Sequence, residues 1–221
     1  MTRLALQNES SRLNDKGTLI TYSTSDSIIS DQFRTIRTNI KFLPIKKKNR
    51  IILITSPDKG DGKSITTANL AVSMAQQDEK VLLIDASLRD PVLHKLFKIS
   101  NQNGLADILT RKKSFQEVIY QTNIGKLDIL TSGVSFSNPA ELIESDSMAN
   151  LLDEISSLYS FILIDSPSVL KSTETRVLAN QADGVILIIN HRKTKRAKIV
   201  ESRKILELVN AKLVGAIINR R

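Results

Sequence analysis

The chain has 221 residues, of which 41% are hydrophobic and 25% charged, enough to bury the core of one large α/β domain. It contains no cysteine, which excludes a disulfide framework and a thiolate metal site and fits a reducing compartment. The net charge of +9 permits attraction to anionic partners, but 4% aromatic content without basic interleaving argues against a nucleic-acid surface.

Residues 1–27 read as a poorly ordered lead-in, polar and mixed in charge, without the apolar core of a signal peptide. No apolar run approaches the roughly 20 residues needed to span a bilayer, so contact with a membrane is expected through a partner or a charged surface. The domain is expected over 28–221. It opens with a helix over 28–43, where Ile29, Phe33, Ile36 and Ile40 recur at helical spacing before Pro44 and the basic run Lys46–Lys48.

Apolar runs then alternate with helical stretches. Strands are expected at 50–56, 81–85, 127–131, 161–165, 185–190 and 213–219, each rich in Ile, Val and Leu on both faces. Helices are expected at 63–77, 146–158, 172–182 and 194–209. This order predicts an α/β fold, a mostly parallel central sheet with helices on both faces, of the P-loop NTPase type. Ligands of such sheets bind at the carboxyl ends of the strands.

The segment "IILITSPDKGDGKSITTANLA" reads strand, glycine-containing loop, helix, which is the context of a phosphate cradle. Its nucleotide-binding residues are expected to be Asp58, Lys59, Gly60, Asp61, Gly62, Lys63, Ser64 and Ile65. Backbone N–H groups and the positive end of the following helix meet the phosphates. Lys63 reaches the β- and γ-phosphates, and Ser64 offers its hydroxyl to Mg²⁺. Pro57 stands where the general pattern has its first glycine. Proline has no N–H, so the donors are expected from about Gly60 to Ile65.

Two further strands end in carboxylates. Asp165 follows "FILI" and has the form of a Walker B aspartate; Asp85 follows "VLLI". Both are expected near the metal, and Asp85 is placed to accept a proton from a nucleophile. Either could instead cap the following helix. The basic stretches 190–204 and 46–50 read as solvated surface or as contacts for an acidic partner or anionic lipid.

These residues resemble the bacterial tyrosine kinases of capsule and exopolysaccharide synthesis, of the separate cytoplasmic type. The three nucleotide motifs of that family look like "SPDKGDGKS", "VLLIDASLRDP" and "FILIDSPS" here. "DQFRTIRTN" resembles its E-x-x-R-x-x-R helix, with Asp31, Arg34 and Arg37 in place. "SGVSFSNPAELI" and "LVGAIINR" resemble two further segments, and the likeness covers about 28–220. It implies an ATP-dependent kinase acting on tyrosine, including tyrosines of neighbouring copies, with ATP and Mg²⁺ bound. Lys63, Asp85 and Asp165 would be catalytic, Ser64, Asp85 and Asp165 would support the metal, and Asn219 would lie near the adenine. Asp31, Arg34 and Arg37 would mediate ring-like self-association. The tail of a membrane-embedded activator would recruit the cytoplasmic chain to the inner face of the membrane.

Three positions depart from the family pattern. Ser87 replaces the second aspartate of the middle motif. The chain ends at Arg221, where the family typically continues into a tyrosine-rich tail, which leaves Tyr22, Tyr120 and Tyr159. Asp31 is one methylene shorter than the family glutamate. Ser87 and the missing tail raise a second reading, an ATP-binding regulatory subunit with little or no catalysis. A partitioning-type ATPase is a third, weakened because Asp58 stands where that group has its extra lysine.

Overall fold

A computed structural model describes residues 19–43, 45, 49–134, 136 and 138–220. In chain order they form α1 (Ile20–Ser23), α2 (Ile28–Lys41), β1 (Arg50–Thr55), α3 (Lys63–Ala75), β2 (Val81–Asp85), α4 (Leu93–Phe97), α5 (Leu105–Leu109) and α6 (Phe115–Val118). There follow β3 (Tyr120–Gln121), β4 (Leu127–Leu130), α7 (Pro139–Glu144), α8 (Asp146–Ser156), β5 (Phe161–Asp165), α9 (Thr173–Gln181), β6 (Gly184–Asn190), α10 (Arg196–Leu208) and β7 (Leu213–Asn219). The sheet order is β3-β4-β2-β5-β1-β6-β7, with every pairing parallel except β3 against β4. The α/β fold with a mostly parallel sheet is therefore as the alternation of runs implies.

Side chains alternate across each inner strand, and both faces are covered. Ile51, Leu53, Leu82, Ile84, Ile162 and Ile164 point into one core, against Leu105, Met148, Leu178 and Leu206 of the helices on that face. Ile52, Ile54, Leu83, Phe161 and Leu163 point into the other, which α3 dominates with Leu70, Val72 and Met74. Burial on both faces explains why these strands read as continuous apolar runs rather than alternating ones.

The five helix expectations lie within a residue or two of α2, α3, α8, α9 and α10. Four short helices, α4 to α7, and the two-residue β3 lie where no periodicity foretold them. At four to six residues they are too short to show a face. Local signatures are confined to their starts: Ser114 N donates to Glu117 Oε2 at 2.8 Å before α6, Gly104 N donates to Asp107 Oδ2 at 2.8 Å before α5, and Pro139 opens α7.

The lead-in expected to be poorly ordered needs correction at its end; residues 1–18 lie outside the described residues. Residues 19–23 are docked on α3. Thr21 is buried, donating its N–H to Asn69 Oδ1 at 3.0 Å, while its hydroxyl contacts the same oxygen at 3.0 Å and Asn69 O at 3.1 Å. Gln76 Nε2 donates to Thr21 O at 3.2 Å. Local polar residues gave no hint of this, because the bonds reach a helix far along the chain.

Helix α2 lies over α3 as well. Ser27 caps it by accepting from Ser30 N, and Phe33, Ile36 and Ile40 face the core. Arg50, read from sequence as part of a basic surface, donates to Ile40 O and Lys41 O at 2.9 Å each and stacks over Phe161. It satisfies carbonyls at the negative end of α2. Lys46–Lys48 lie outside the described residues.

Asn69→Ala should leave the buried N–H of Thr21 without a partner, while its hydroxyl keeps the residue 69 carbonyl, and cost about 1–3 kcal/mol in urea unfolding. Ser23→Ala, on the exposed side of the same helix, should cost close to nothing.

Candidate functional site

Parallel register builds the acidic half of the site. Asp85 pairs with Asp165 across β2 and β5, and Asp165 lies beside Ile54 of β1, one residue before the strand runs out toward the loop. The two carboxylates thus sit on neighbouring strands, about 4.8 Å apart along the sheet. Both are fully buried.

Their environments differ. Asp85 Oδ1 accepts from Ser87 N at 3.1 Å, and Oδ2 accepts from Val92 N and Leu93 N at 3.0 Å each. The capping alternative is therefore realised for Asp85, which ties down the turn into α4. Oδ1 retains a lone pair. Burial raises its pKa, opposed by those three N–H groups. Asp165 has neither oxygen hydrogen-bonded among the described residues. Burial pushes its carboxyl up to about 7, with the Lys63 ammonium opposing the rise and Asp85 adding to it.

The loop between β1 and α3 turns on two glycines in the left-handed region, Gly60 at φ +87° and Gly62 at φ +90°. A Cβ on Gly62 would stand 2.2 Å from Asn219 Nδ2. The loop braces itself through Asp58 N, which donates to Asp61 Oδ2 at 3.0 Å, and Ser56 Oγ, which donates to Asp58 O at 2.7 Å. Asn219, at the end of β7, donates to Asp61 O at 3.1 Å and so touches the loop itself. Lys63 and Ser64 open α3 and face the same cavity as Gly60, Gly62 and Ile65.

That cavity, about 1030 Å³, extends from the loop past Ser87 and Arg89 to Lys171 and the start of α9. Sequence reasoning missed its far wall. Glu174 is buried there, accepts from the Ser172 hydroxyl, and pairs with Arg89 at 3.3 Å. A Ser-x-Glu at a helix start was the available signal. It also missed the outer brace of the loop. Lys193 Nζ donates to Lys59 O at 2.9 Å, Lys59 pairs with Asp90 at 2.7 Å, and Lys198 pairs with Asp58. The Lys198 ammonium holds the Asp58 carboxyl below its ordinary value. The basic stretch 190–204 is thus partly spent on the loop.

On α2 the three motif residues separate. Asp31 and Arg34 are exposed and pair at 2.6 Å, and Arg34 also donates to Ser25 O at 2.9 Å. Arg37 is 6% exposed and donates to Ser73 O of α3 at 2.6 Å. Its place is inside the protomer, which corrects its assignment to a contact surface.

The donor set suits a magnesium ion. Ser64 supplies a hydroxyl, and Asp165 supplies two buried oxygens that lack a well-formed hydrogen bond, with the Ser64 and Thr67 hydroxyls close by.

A family model described as "AAA domain" matches residues 49–213. Tyrosine-protein kinase YwqD of Bacillus subtilis is 41% identical over 201 residues, covering 91% of this chain and 85% of that protein. The kinase domain of Escherichia coli tyrosine kinase ETK superposes with a TM-score of 0.88 at 28% identity, covering 98% of this chain and 84% of that one. The septum site-determining protein MinD of Pyrococcus horikoshii, solved with Mg-ADP, superposes at 0.67 with 26% identity, covering 77% and 70%.

Because the folded state holds the Asp165 proton more tightly than the unfolded chain, unfolding releases a proton between the ordinary value of 3.8 and about 7. Nucleotide-free protein should lose stability as pH rises through that window. Asp165→Asn should flatten the profile and raise the Tm above pH 7, as read by thermal scans across buffers.

Proposed function

The chain belongs to the bacterial tyrosine kinase family, and on that premise we propose that it transfers the γ-phosphoryl group of ATP to tyrosine. The observation that carries this reading is the convergence of Lys63, Ser64 and the unpartnered Asp165 carboxylate beneath the glycine loop. The loop N–H groups from about Gly60 to Ile65 cradle the phosphates, and Lys63 neutralises the charge shared by the β- and γ-groups. Ser64 and Asp165 hold Mg²⁺. When bound, it withdraws charge from the phosphate oxygens. Asp85 accepts the phenolic proton through Oδ1, the oxygen with a single hydrogen bond. Its burial makes it a better base than a solvated carboxylate. In the step, the phenolic oxygen bonds to the γ-phosphorus, the bond to the ADP oxygen breaks, and the proton passes to Asp85.

The physiological role we propose is control of capsule or exopolysaccharide synthesis and export. The chain is cytoplasmic and is recruited to the inner face of the membrane by the tail of a membrane-embedded activator. Among the described residues no helix is long and apolar enough to cross a membrane. Asn219, which donates to Asp61 O of the loop, would lie near the base of the bound nucleotide.

Self-association runs through the outer face of α2, where Asp31 and Arg34 are accessible and Ile28 is an exposed apolar neighbour. Arg34→Ala should lower the oligomeric mass in light scattering while leaving Tm nearly unchanged, since an exposed ion pair is worth only about 0–1 kcal/mol to the protomer. An unaltered mass would remove α2 from the interface.

One observation favours a second reading. Ser87 lines the cavity beside Asp85 with a neutral hydroxyl in place of the family carboxylate, which suits an ATP-binding regulatory subunit. Transfer of ³²P from Mg-ATP to tyrosine decides between them, measured with and without the activator tail. Wild-type transfer that Lys63→Ala abolishes is the expected result. No wild-type transfer, with activity gained in Ser87→Asp, would establish the regulator.

A further inference from the structure

The chain has three tyrosines, and the fold gives them unequal access to a second molecule. Tyr159 is buried, donates its hydroxyl to Asp128 Oδ2 at 2.8 Å, and meets Phe115 edge to face. Lys80 lies over its ring at 4.9 Å. Exposing this phenol would dismantle a packed corner of the domain. Tyr120 is half-buried in β3, paired antiparallel with Ile129, and packs on the core beneath the sheet. Delivering it to another molecule means stripping β3 from β4.

Tyr22 differs on each count. Its side chain is 43% exposed, and its hydroxyl has no partner among the described residues. It sits on α1, a single turn with no side-chain cap at its start. The bonds that hold this turn are made by the neighbouring Thr21, which points the other way onto Asn69 and Gln76 of the α3 region. The phenol is therefore presented outward from a small element that can lift away without breaking the sheet.

Tyr22 does not face its own site. Asn69 lies more than a helical turn beyond Lys63 along α3, and Gln76 lies just past the far end of that helix. No residue of α1 lines the cavity that Lys63 faces.

We propose that Tyr22 is a phosphorylation site, modified in trans by a second copy of this chain. The inference rests on the kinase reading above. The Tyr22 oxygen bonds to the γ-phosphorus of ATP held by the other copy. The bond from that phosphorus to the bridging oxygen breaks to leave ADP, and the phenolic proton passes to Asp85 of that copy. The product places about −1.5 to −2 charges on α1. That segment leads directly into the helix proposed for self-association, and Arg34 already reaches back into it at Ser25.

The test mixes untagged wild-type chain with a size-tagged Lys63→Ala chain as acceptor, in Mg-[γ-³²P]ATP, with a poly(Glu,Tyr) copolymer as an independent acceptor. The expected result is label in the tagged chain that maps to the Tyr22 peptide. It should rise with the amount of wild-type chain, disappear from a tagged acceptor that also has Tyr22→Phe, and persist with Tyr120→Phe. Label that survives Tyr22→Phe overturns the assignment, as does a labelled copolymer beside an unlabelled chain. Absence of label from both acceptors overturns the kinase reading and this inference with it.

Discussion

Asp85 and Asp165 stand side by side in a dry part of the sheet, and that juxtaposition constrains everything around them. Two carboxylates on adjacent strands repel, and burial removes the water that would screen them. The protein resolves the conflict unevenly. Asp85 is satisfied by three backbone N–H groups from the turn that follows β2. Asp165 has no well-formed hydrogen bond, and the nearby Lys63 charge, with smaller help from the Ser64 and Thr67 hydroxyls, offsets its own. The position of Lys63, the left-handed glycines that let the loop bend back over the strands, and the parallel register of β1, β2 and β5 all answer to that imbalance. The under-satisfied carboxylate costs stability and has the chemistry to accept a cation.

The loop is held from both sides by different chemistry. Beneath it, α3 is buried along nearly its whole length and is enclosed by the sheet on one side and by α1 and α2 on the other. Above it, Lys59, Lys193 and Lys198 make exposed or half-exposed polar contacts with the loop and its neighbours. Apolar enclosure fixes where the helix begins. The ionic contacts set how the outer residues of the loop lie, and salt weakens them.

Much of this was legible in the chain. Continuous Ile, Val and Leu runs mark strands buried on both faces. The glycine-containing loop lies between a strand and a helix as its sequence implies, and the two aspartates close the apolar runs of β2 and β5. What escaped was long-range or short-lived in sequence. Arg37 reads as one more charge on an amphipathic helix, and nothing local says that it turns inward to Ser73. Thr21 looks like any polar residue of a lead-in until Asn69 is brought beside it. Glu174 and Arg89 meet only because α9 begins opposite the turn after β2. Helices of four to six residues leave no period to read.

The envelopment of α3 has a consequence for how the molecule breathes. Amide hydrogens exchange with solvent at rates set by the free energy of opening, and the slowest belong to elements packed on all sides. The interior of α3 and the strands beneath it should exchange only through global unfolding. The exposed Lys59 and Gly60 upstream of it, and the exposed turn after β6, should exchange faster. The N-terminal end of α3 is thus where a slowly exchanging helix meets a more exposed loop. A nucleotide arriving there meets a firm floor and a yielding rim.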